Sequence, residues 1–243
     1  MLTKRQEKLL IALVQEYIEK AEPVSSKLLS QKGKFDLSPA TVRNELQKLT
    51  DIGYIYQPHT SAGRVPTNKG YRFFVDRLME KHQDLLSKVP QSVLSGIKEE
   101  GEDDFRFFES FTKTVAALSS SLVLTYINDR DILWKDGWKE VFQNPEFKEP
   151  DILEDFLGAV EGLENNIKSF MDEFTGSENI QVYIGKEEPV LKSKEFSLII
   201  SKTQFPDKEN GVLAILGPKR MEYEKNIGLM QSLIKSLGDN ARY

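Results

Sequence analysis

The stretch from Leu37 to Thr67 reads LSPATVRNELQKLTDIGYIYQPHTSAGRVPT, and it is the part of the chain that predicts the fold most specifically. It opens with Ser38 and Pro39, residue types favoured at the N-cap and in the first turn of a helix. Apolar residues then recur at helical spacing, at Val42, Leu46 and Leu49. Gly53 ends the periodic segment. Two short strand-like runs follow, so the order predicts a recognition helix and a β-wing.

The wing is predicted from Tyr54–Gln57 and Arg64–Pro66, two short runs joined by a polar loop. Gly63 permits a tight turn at the end of that loop, and the proline in the second run restricts it to a sheet edge. Phe35 and Leu37 alternate with polar residues. They predict a brief strand that pairs with the wing.

Two further helices are expected before the recognition helix and one after it. Thr3 and Gln6 form a capping-box pair that predicts a first helix over Thr3–Lys20. Ser25 can cap a second helix that Gly33 ends. Thr67 can cap a fourth, whose apolar stripe is Tyr71, Phe74, Val75 and Leu78. Core packing is the favoured use of this stripe, and a dimer seam is the alternative.

The polar face of the recognition helix carries side chains suited to DNA. Arginine, asparagine and glutamine can bond bidentately to base edges in the major groove, although a solvated helix face has the same composition. Hydroxyls, a histidine and an arginine in the wing can reach phosphate or the minor groove. For His59, an ordinary surface-loop histidine is the alternative. The candidate DNA-binding residues are Ser38, Thr41, Arg43, Asn44, Gln47, Lys48, His59, Thr60, Ser61, Arg64 and Lys69.

Composition excludes several classes of function. The 243 residues suit about two domains and include no cysteine and only two histidines, so disulfides, thiolate metal sites and thiol catalysis are excluded. No catalytic or nucleotide-binding motif is present, and we expect no enzyme activity and no cofactor. The longest early apolar run, Leu9–Val14, is far too short for a membrane span or signal peptide. We therefore expect a cytoplasmic protein with no membrane partner.

Charge divides the chain into a basic head and an acidic body. Residues 1–82 hold 14 basic and 9 acidic side chains, a net of +5, whereas the remaining residues hold 19 and 29, a net of −10. Because electrostatic attraction to nucleic acid acts locally, the head is the part expected to bind DNA. We predict a winged-helix DNA-binding domain over 1–82, a helical connection or dimer helix over 83–121, and a regulatory domain over 122–243.

The regulatory domain is predicted to be a layered α+β fold with a mainly antiparallel sheet, since its consecutive strands lack helical crossovers. A helix from Phe105 precedes it, either as a dimer contact or as a cover on the sheet. Its predicted elements are a strand over Leu122–Ile127, a helix over Asp151–Phe174 with Leu157 among its inward residues, strands over Ile180–Gly185, Phe196–Thr203 and Gly211–Leu216, and a helix over Lys219–Leu237. Lys219 and Arg220 at a helix start require an offsetting anion or carboxylate, or else extend into water.

Three segments carry a family resemblance: RQEKLLIALVQEYIEKAEPVSSKLL, LSPATVRNEL and GYIYQPHTSAGRVPTNKGYRFFVD. They closely resemble the N-terminal region of the bacterial heat-inducible transcription repressor family. The resemblance implies a dimeric repressor of chaperone and chaperonin operons that binds an inverted-repeat operator in double-stranded DNA. It also implies that chaperonin modulates its activity. A ligand-sensing or protein-interaction regulator, whose winged helix serves as an assembly surface, is the alternative function.

The resemblance returns in fragments later in the chain, at Gly137, Pro145–Phe147, Val182–Gly185 and Gly217–Tyr223. In the family these fragments belong to a GAF-like regulatory domain. The chain departs from the family between Tyr126 and Trp134. Only a few residues stand there, where longer members carry a substantial stretch that includes an inserted dimerisation region. The resemblance therefore implies a GAF-like domain that is shortened.

Overall fold

The computed structural model describes residues 2–32, 35, 37–80, 104–170, 180–187, 191, 193–205 and 209–240. Two predictions lie outside these residues: the helix end at Gly33, and the part of the predicted connection that runs from residue 83 to residue 103. The chain divides into two compact units, Met1–Lys81 and His82–Tyr243. Each unit is described by itself.

The first unit is a bundle of helices with a two-stranded wing. Its elements are α1 (Lys4–Lys20), α2 (Ser26–Lys32), α3 (Pro39–Asp51), β1 (Ile55–Tyr56), β2 (Val65–Pro66) and α4 (Asn68–Met79). The strands pair antiparallel, with Ile55 opposite Pro66. The predicted order of helices and wing is thus confirmed. The apolar faces meet in one core, formed by Leu9, Leu10, Leu13, Val14, Val42, Leu46, Leu49, Tyr71, Phe74 and Val75.

The predicted starts of α1 and α4 are confirmed. At each start, a side chain accepts a hydrogen bond from a backbone N–H group that has no partner within the helix. At α1, Thr3 and Gln6 form the expected reciprocal capping box, with N···O distances of 3.0 and 3.3 Å. Thr67 accepts a hydrogen bond from the Gly70 N–H at the start of α4, at 3.2 Å. The stripe on α4 is buried in the unit's core, as its spacing favours. Local chemistry therefore sets these boundaries.

The prediction of a strand at Phe35 and Leu37 is wrong. Neither residue lies in a strand, and the segment that pairs with the wing is instead Val24, which forms an isolated antiparallel bridge to Arg64. Val24 is β-branched, and residues of this type are enriched in extended backbone. Its N–H and carbonyl both bond to Arg64, at 2.9 and 2.8 Å. The link between α1 and α2 thus pairs with the second strand-like segment of the wing, in place of the predicted strand at Phe35 and Leu37.

The second unit is an antiparallel sheet with helices on both faces. Its elements are α5 (Asp104–Ser119), β3 (Leu122–Ile127), β4 (Ile132–Asp136), α6 (Trp138–Val141), a 3₁₀ turn (Pro145–Lys148), α7 (Pro150–Asn166), β5 (Ile180–Ile184), a second 3₁₀ turn (Gly185–Glu187), β6 (Phe196–Gln204), β7 (Asn210–Pro218) and α8 (Tyr223–Asn240). The five strands lie in the order β4-β3-β7-β6-β5. Every neighbouring pair is antiparallel, which confirms the α+β class.

The side chains of alternate strand residues fill the two faces of this sheet. One face packs against α7 through Leu122, Leu198 and Leu216, among others. The opposite face carries α5, whose Phe108 stacks on Trp134 with ring centroids 4.8 Å apart. The Thr112 hydroxyl donates to Thr125 Oγ1 at 2.8 Å between α5 and β3. Helix α5 therefore covers the sheet. Of the two roles that the sequence leaves open for this helix, a dimer contact and a cover on the sheet, the second is the one observed.

Strand β4 was not predicted, and it forms a tight hairpin with β3. Asp131 closes the turn with a left-handed φ of 54°. Its carboxylate accepts a hydrogen bond from the Tyr126 hydroxyl at 2.9 Å and pairs with Lys168 Nζ at 2.8 Å. The bond to Lys168, followed by the bond to Tyr126, lowers the pKa of Asp131. The short segment where the family resemblance predicts a missing stretch is thus a well-held hairpin turn.

Three predictions in this unit are wrong. The helix predicted over Asp151–Phe174 ends at Asn166, where a turn follows. Leu157, expected to face inward, is 48% exposed, because it lies one residue and about 100° of helical rotation from the buried Phe156. The final helix begins at Tyr223, since β7 continues to Pro218 and a turn follows. Lys219 and Arg220 therefore lie before the helix, and neither extends free into water. Arg220 pairs with Glu146, and Lys219 lies 3.4 Å from Glu195.

Candidate nucleic-acid interface

The first part of the candidate interface is the start of α3, which its own side chains build. Ser38 Oγ accepts a hydrogen bond from the Thr41 N–H at 3.2 Å, and the two hydroxyls lie 3.0 Å apart. Pro39 occupies the first turn, where its missing N–H costs nothing. Both Ser38 and Thr41, predicted to contact DNA, therefore serve the helix cap. Ser38 is exposed and Thr41 is half-buried.

The exposed face of α3 carries the other predicted residues of this helix together. Arg43, Asn44, Gln47 and Lys48 are all exposed, while Val42, Leu46 and Leu49 on the opposite side are buried. The side chains of Arg43 and Asn44 have no hydrogen-bond or ion-pair partner among the described residues. Their donors and acceptors are thus available to an external partner. Lys48 Nζ lies 3.1 Å from Glu45 Oε1, so its charge is partly engaged.

A buried carboxylate that sequence reasoning missed anchors α3 on α1. Glu45 is only 8% exposed, and its Oε2 accepts a hydrogen bond from Gln6 Nε2 at 3.1 Å. The same Gln6 side chain caps α1 through its Oε1. The signal was present in the spacing, since Glu45 stands three residues after the buried Val42 and four before the buried Leu49. One glutamine therefore ties the start of α1 to the middle of the recognition helix.

The wing loop is held by side-chain and backbone hydrogen bonds. Gln57 Nε2 donates to the carbonyl oxygens of Thr60 and Ala62, both at 2.8 Å. His59 Nδ1 lies 3.2 Å from Ser61 Oγ. His59, Thr60 and Ser61 are all exposed. The loop thus presents its predicted residues on the surface in a defined conformation.

The two basic residues that follow the loop both bond to the recognition helix or its end. Arg64 donates to Gln47 Oε1 and to Thr50 Oγ1, each at 3.2 Å. Lys69 Nζ donates to the carbonyl oxygen of Ile52 at 2.8 Å and lies 4.4 Å from the Tyr54 ring centroid. A lysine bonded to a carbonyl at a helix end satisfies an otherwise free acceptor. Lys69 thus has a structural use beside its predicted contact with the DNA backbone.

Sequence reasoning also missed two exposed apolar side chains next to this surface. Tyr56 on β1 is 47% exposed, and Ile52 after α3 is 45% exposed. The period-two alternation of a strand gives the signal for Tyr56, because its neighbour Ile55 is buried. A tyrosine can offer both a ring and a hydroxyl to a nucleic-acid backbone. No signal in the sequence marks Ile52.

No group of three or more histidine, aspartate or glutamate side chains is arranged to hold a metal ion in the part of the chain that the structure describes. Within the same ranges, no helix combines the length and apolarity needed to cross a membrane.

Comparison with known proteins assigns the two units to one family. A family model described as "Winged helix-turn-helix transcription repressor, HrcA DNA-binding" matches residues 1–79. A second, described as "HrcA protein C terminal domain", matches residues 69–227. Together they cover most of the chain. The interface described above lies wholly within the first match.

Curated relatives agree with this assignment. The heat-inducible transcription repressor HrcA of Natranaerobius thermophilus is 27% identical over 330 aligned positions, which cover 96% of this chain and 95% of that protein. The HrcA of Pelotomaculum thermopropionicum is 51% identical over 93 residues, 38% of this chain and 26% of that protein. At 243 residues, the chain is shorter than its full-length relatives of about 340 residues.

A solved structure described as that of a hypothetical protein has the same fold. It superposes with a TM-score of 0.75 over 99% of this chain and 98% of that one, at 20% identity. The winged helix and the GAF-like α+β domain predicted from the sequence are thereby confirmed. On the two family matches and the full-length relatives, this chain belongs to the HrcA family of heat-inducible transcription repressors.

Proposed function

We propose that this chain represses heat-shock operons encoding chaperones by binding an inverted-repeat operator as a homodimer, with α3 in the major groove. The observation that carries the proposal is the outward face of α3. Arg43 and Asn44 stand there with unused donors and acceptors, on a helix whose opposite side is buried in the domain core. Such a helix can enter the groove without unfolding any part of the head.

The side chains on this face divide by chemistry. An arginine bonds bidentately to guanine and an asparagine or glutamine to adenine, so Arg43, Asn44 and Gln47 are the residues that read bases. Lys48, Ser38 and the wing hydroxyls of Thr60 and Ser61 contact phosphates and set the register. The net charge of +5 on residues 1–82 supports this placement, because phosphate attraction requires a locally basic surface.

A homodimer would account for the operator type. Two copies related by a twofold axis present two identical recognition helices, and the matching DNA is an inverted repeat whose half-sites are separated by about one or more helical turns. The family resemblance also motivates a chaperonin as modulator of activity. In the second unit, Leu153 and Leu157 on α7 are 37% and 48% exposed and offer apolar side chains to such a partner.

Selection of bound duplexes from random DNA, with the mass of the selected complex measured alongside, tests this function. We expect an enriched inverted repeat and two chains per duplex. Random duplexes recovered without enrichment at physiological salt would reject the proposal. That result would favour the alternative, in which the winged helix is an assembly surface of a ligand-sensing regulator.

A further inference from the structure

Arg64 occupies a position that the backbone defines closely. Its N–H and carbonyl bond to Val24 at 2.8 and 2.9 Å, so its Cα is held against the link between α1 and α2. The residue before it, Gly63, packs so closely that an added Cβ would lie 2.5 Å from the Pro23 carbonyl oxygen. The root of the Arg64 side chain therefore has little freedom to move.

The side chain of Arg64 extends from this root to α3 and ends in a chain of hydrogen bonds. Its Nη2 donates to Gln47 Oε1 at 3.2 Å, and its Nε donates to Thr50 Oγ1 at 3.2 Å. Gln47 Nε2 in turn donates to Asp51 Oδ1 at 2.8 Å. The Gln47 carboxamide thus lies between a guanidinium on the wing and a carboxylate one helical turn along.

These two neighbours permit only one orientation of the carboxamide. A guanidinium has donors and no acceptor, whereas an ionised carboxylate has acceptors and no donor. Rotating the amide by half a turn would place its NH₂ against Arg64 and its oxygen against Asp51, and both hydrogen bonds would be lost. The amide oxygen keeps a second lone pair and the nitrogen a second hydrogen, so both groups can still bond to a base.

We propose that Arg64 and Asp51 are positioning residues that orient the Gln47 carboxamide and thereby determine its base preference. The inference rests on the proposed placement of α3 in the major groove. An oriented amide presents its acceptor and donor in a defined order along the groove, and base pairs differ in the order of their own donors and acceptors. This role differs from the phosphate or minor-groove contact that the sequence predicts for Arg64.

The test uses the full-length protein, the duplex selected from random DNA, and duplexes with each base pair substituted singly. Gln47→Ala identifies the base pair whose preference depends on Gln47, and we expect that preference to fall about tenfold. Arg64→Ala and Asp51→Ala should each relax preference at the same base pair. In the Gln47→Ala background, Arg64→Ala should relax it no further, because residues that act through one another are not additive.

Arg64→Lys is the matched control, because it keeps the positive charge but loses the forked donation to Gln47 and Thr50. We expect it to lower the preference at that base pair without changing the slope of affinity against salt. The midpoint of thermal unfolding checks that each variant folds. Asp51→Ala, which removes a negative charge and leaves the wing intact, keeps the inference testable if Arg64→Ala is unstable.

Any of four results would overturn the inference. Arg64→Ala that weakens binding to all duplexes equally, with a shallower salt dependence, would assign Arg64 to a phosphate. If Arg64→Ala and Asp51→Ala both leave the base preference intact, the orienting role is rejected while the proposed function stands. The same holds if Gln47→Ala leaves the base preference intact. A wild-type protein with no preference among the duplexes would reject the proposed function and the inference together.

Discussion

Glu16 lies between two lysines where α1 meets α2. Its carboxylate is 2.7 Å from Lys20 Nζ and 2.9 Å from Lys32 Nζ. The hydrogen bond from Lys20 is the main cause that lowers the pKa of Glu16, while its burial opposes this and Lys32 adds to it. The ion pair therefore joins the first two helices of the head in a manner that depends on pH.

Acidification should weaken the head through Glu16. Because the folded pKa lies below the unfolded one, the pair stabilises the fold above the unfolded pKa, and this stabilisation is lost as pH falls through the folded pKa. We expect Glu16→Gln to flatten the decline in unfolding free energy as the pH falls below roughly 5. Urea unfolding measured across that range checks it. Glu22→Gln, at an exposed glutamate, is the control and should leave the decline unchanged.

Arg43 is the residue whose loss should most affect sequence preference. It is exposed on α3 and has no partner among the described residues. We expect Arg43→Ala to lower the preference for the operator over random duplex by about 1–3 kcal/mol. Competition gel shifts measure this preference. Lys48→Ala is the comparison: it should weaken binding to both duplexes alike and make the salt dependence shallower by about one unit. The reverse pattern would exchange their roles.

At the scale of elements, the wing depends on a close backbone approach. Gly63 lies against Pro23 and Val24, and the adjacent Val24 to Arg64 bridge holds the wing to the rest of the head. Neither contact involves a side chain of the wing loop itself. The position of the wing relative to the link between α1 and α2 therefore depends on a residue type that has no Cβ.

Replacing Gly63 should disturb the wing. A Cβ there would lie 2.5 Å from two backbone atoms, and we expect Gly63→Ala to destabilise the head by about 1–3 kcal/mol. Gly158→Ala is the matched control, since a Cβ in the middle of α7 meets nothing within 4 Å. It should stabilise the protein by about 0.5–1 kcal/mol. Denaturant unfolding compares the two, and equal effects would show that the close approach carries no strain.

The elements that the sequence predicts well are those with local signals. Helix α3 has a serine cap, an N-terminal proline and a closing glycine, and β3 over Leu122–Ile127 is a continuous apolar run. Strand β4 was missed because Lys135 and Asp136 interrupt its apolar pattern. The bridge at Val24 was missed because a single paired residue has no periodicity. The bond between Arg64 and Gln47 joins residues 17 positions apart, so only the folded wing reveals it.

At the scale of the whole molecule, the two units carry opposite charge. The head has a net charge of +5 and the rest of the chain −10, so a whole-chain count hides the feature that matters for binding. Composition predicted this separation without any structure. The sheet order of the second unit was not predictable in the same way, because pairing between distant strands depends on packing across the entire domain.

This charge arrangement should make DNA binding strongly dependent on salt. Each phosphate neutralised by the head releases counterions, so affinity should fall linearly with salt concentration on logarithmic axes, with a slope near −0.9 per contact. Titrations at several salt concentrations with the selected operator measure the slope. A slope close to zero would mean that the basic head does not contact phosphates.

We propose above that the outward face of α3 reads a specific DNA sequence. The most direct test is the ratio of affinities for the selected operator and a shuffled duplex at physiological salt, for the wild-type protein and for Arg43→Ala. We expect a wild-type ratio of at least about 10³, and a ratio lowered roughly tenfold or more by the substitution. A wild-type ratio near one, or a high ratio that Arg43→Ala leaves unchanged, would contradict it.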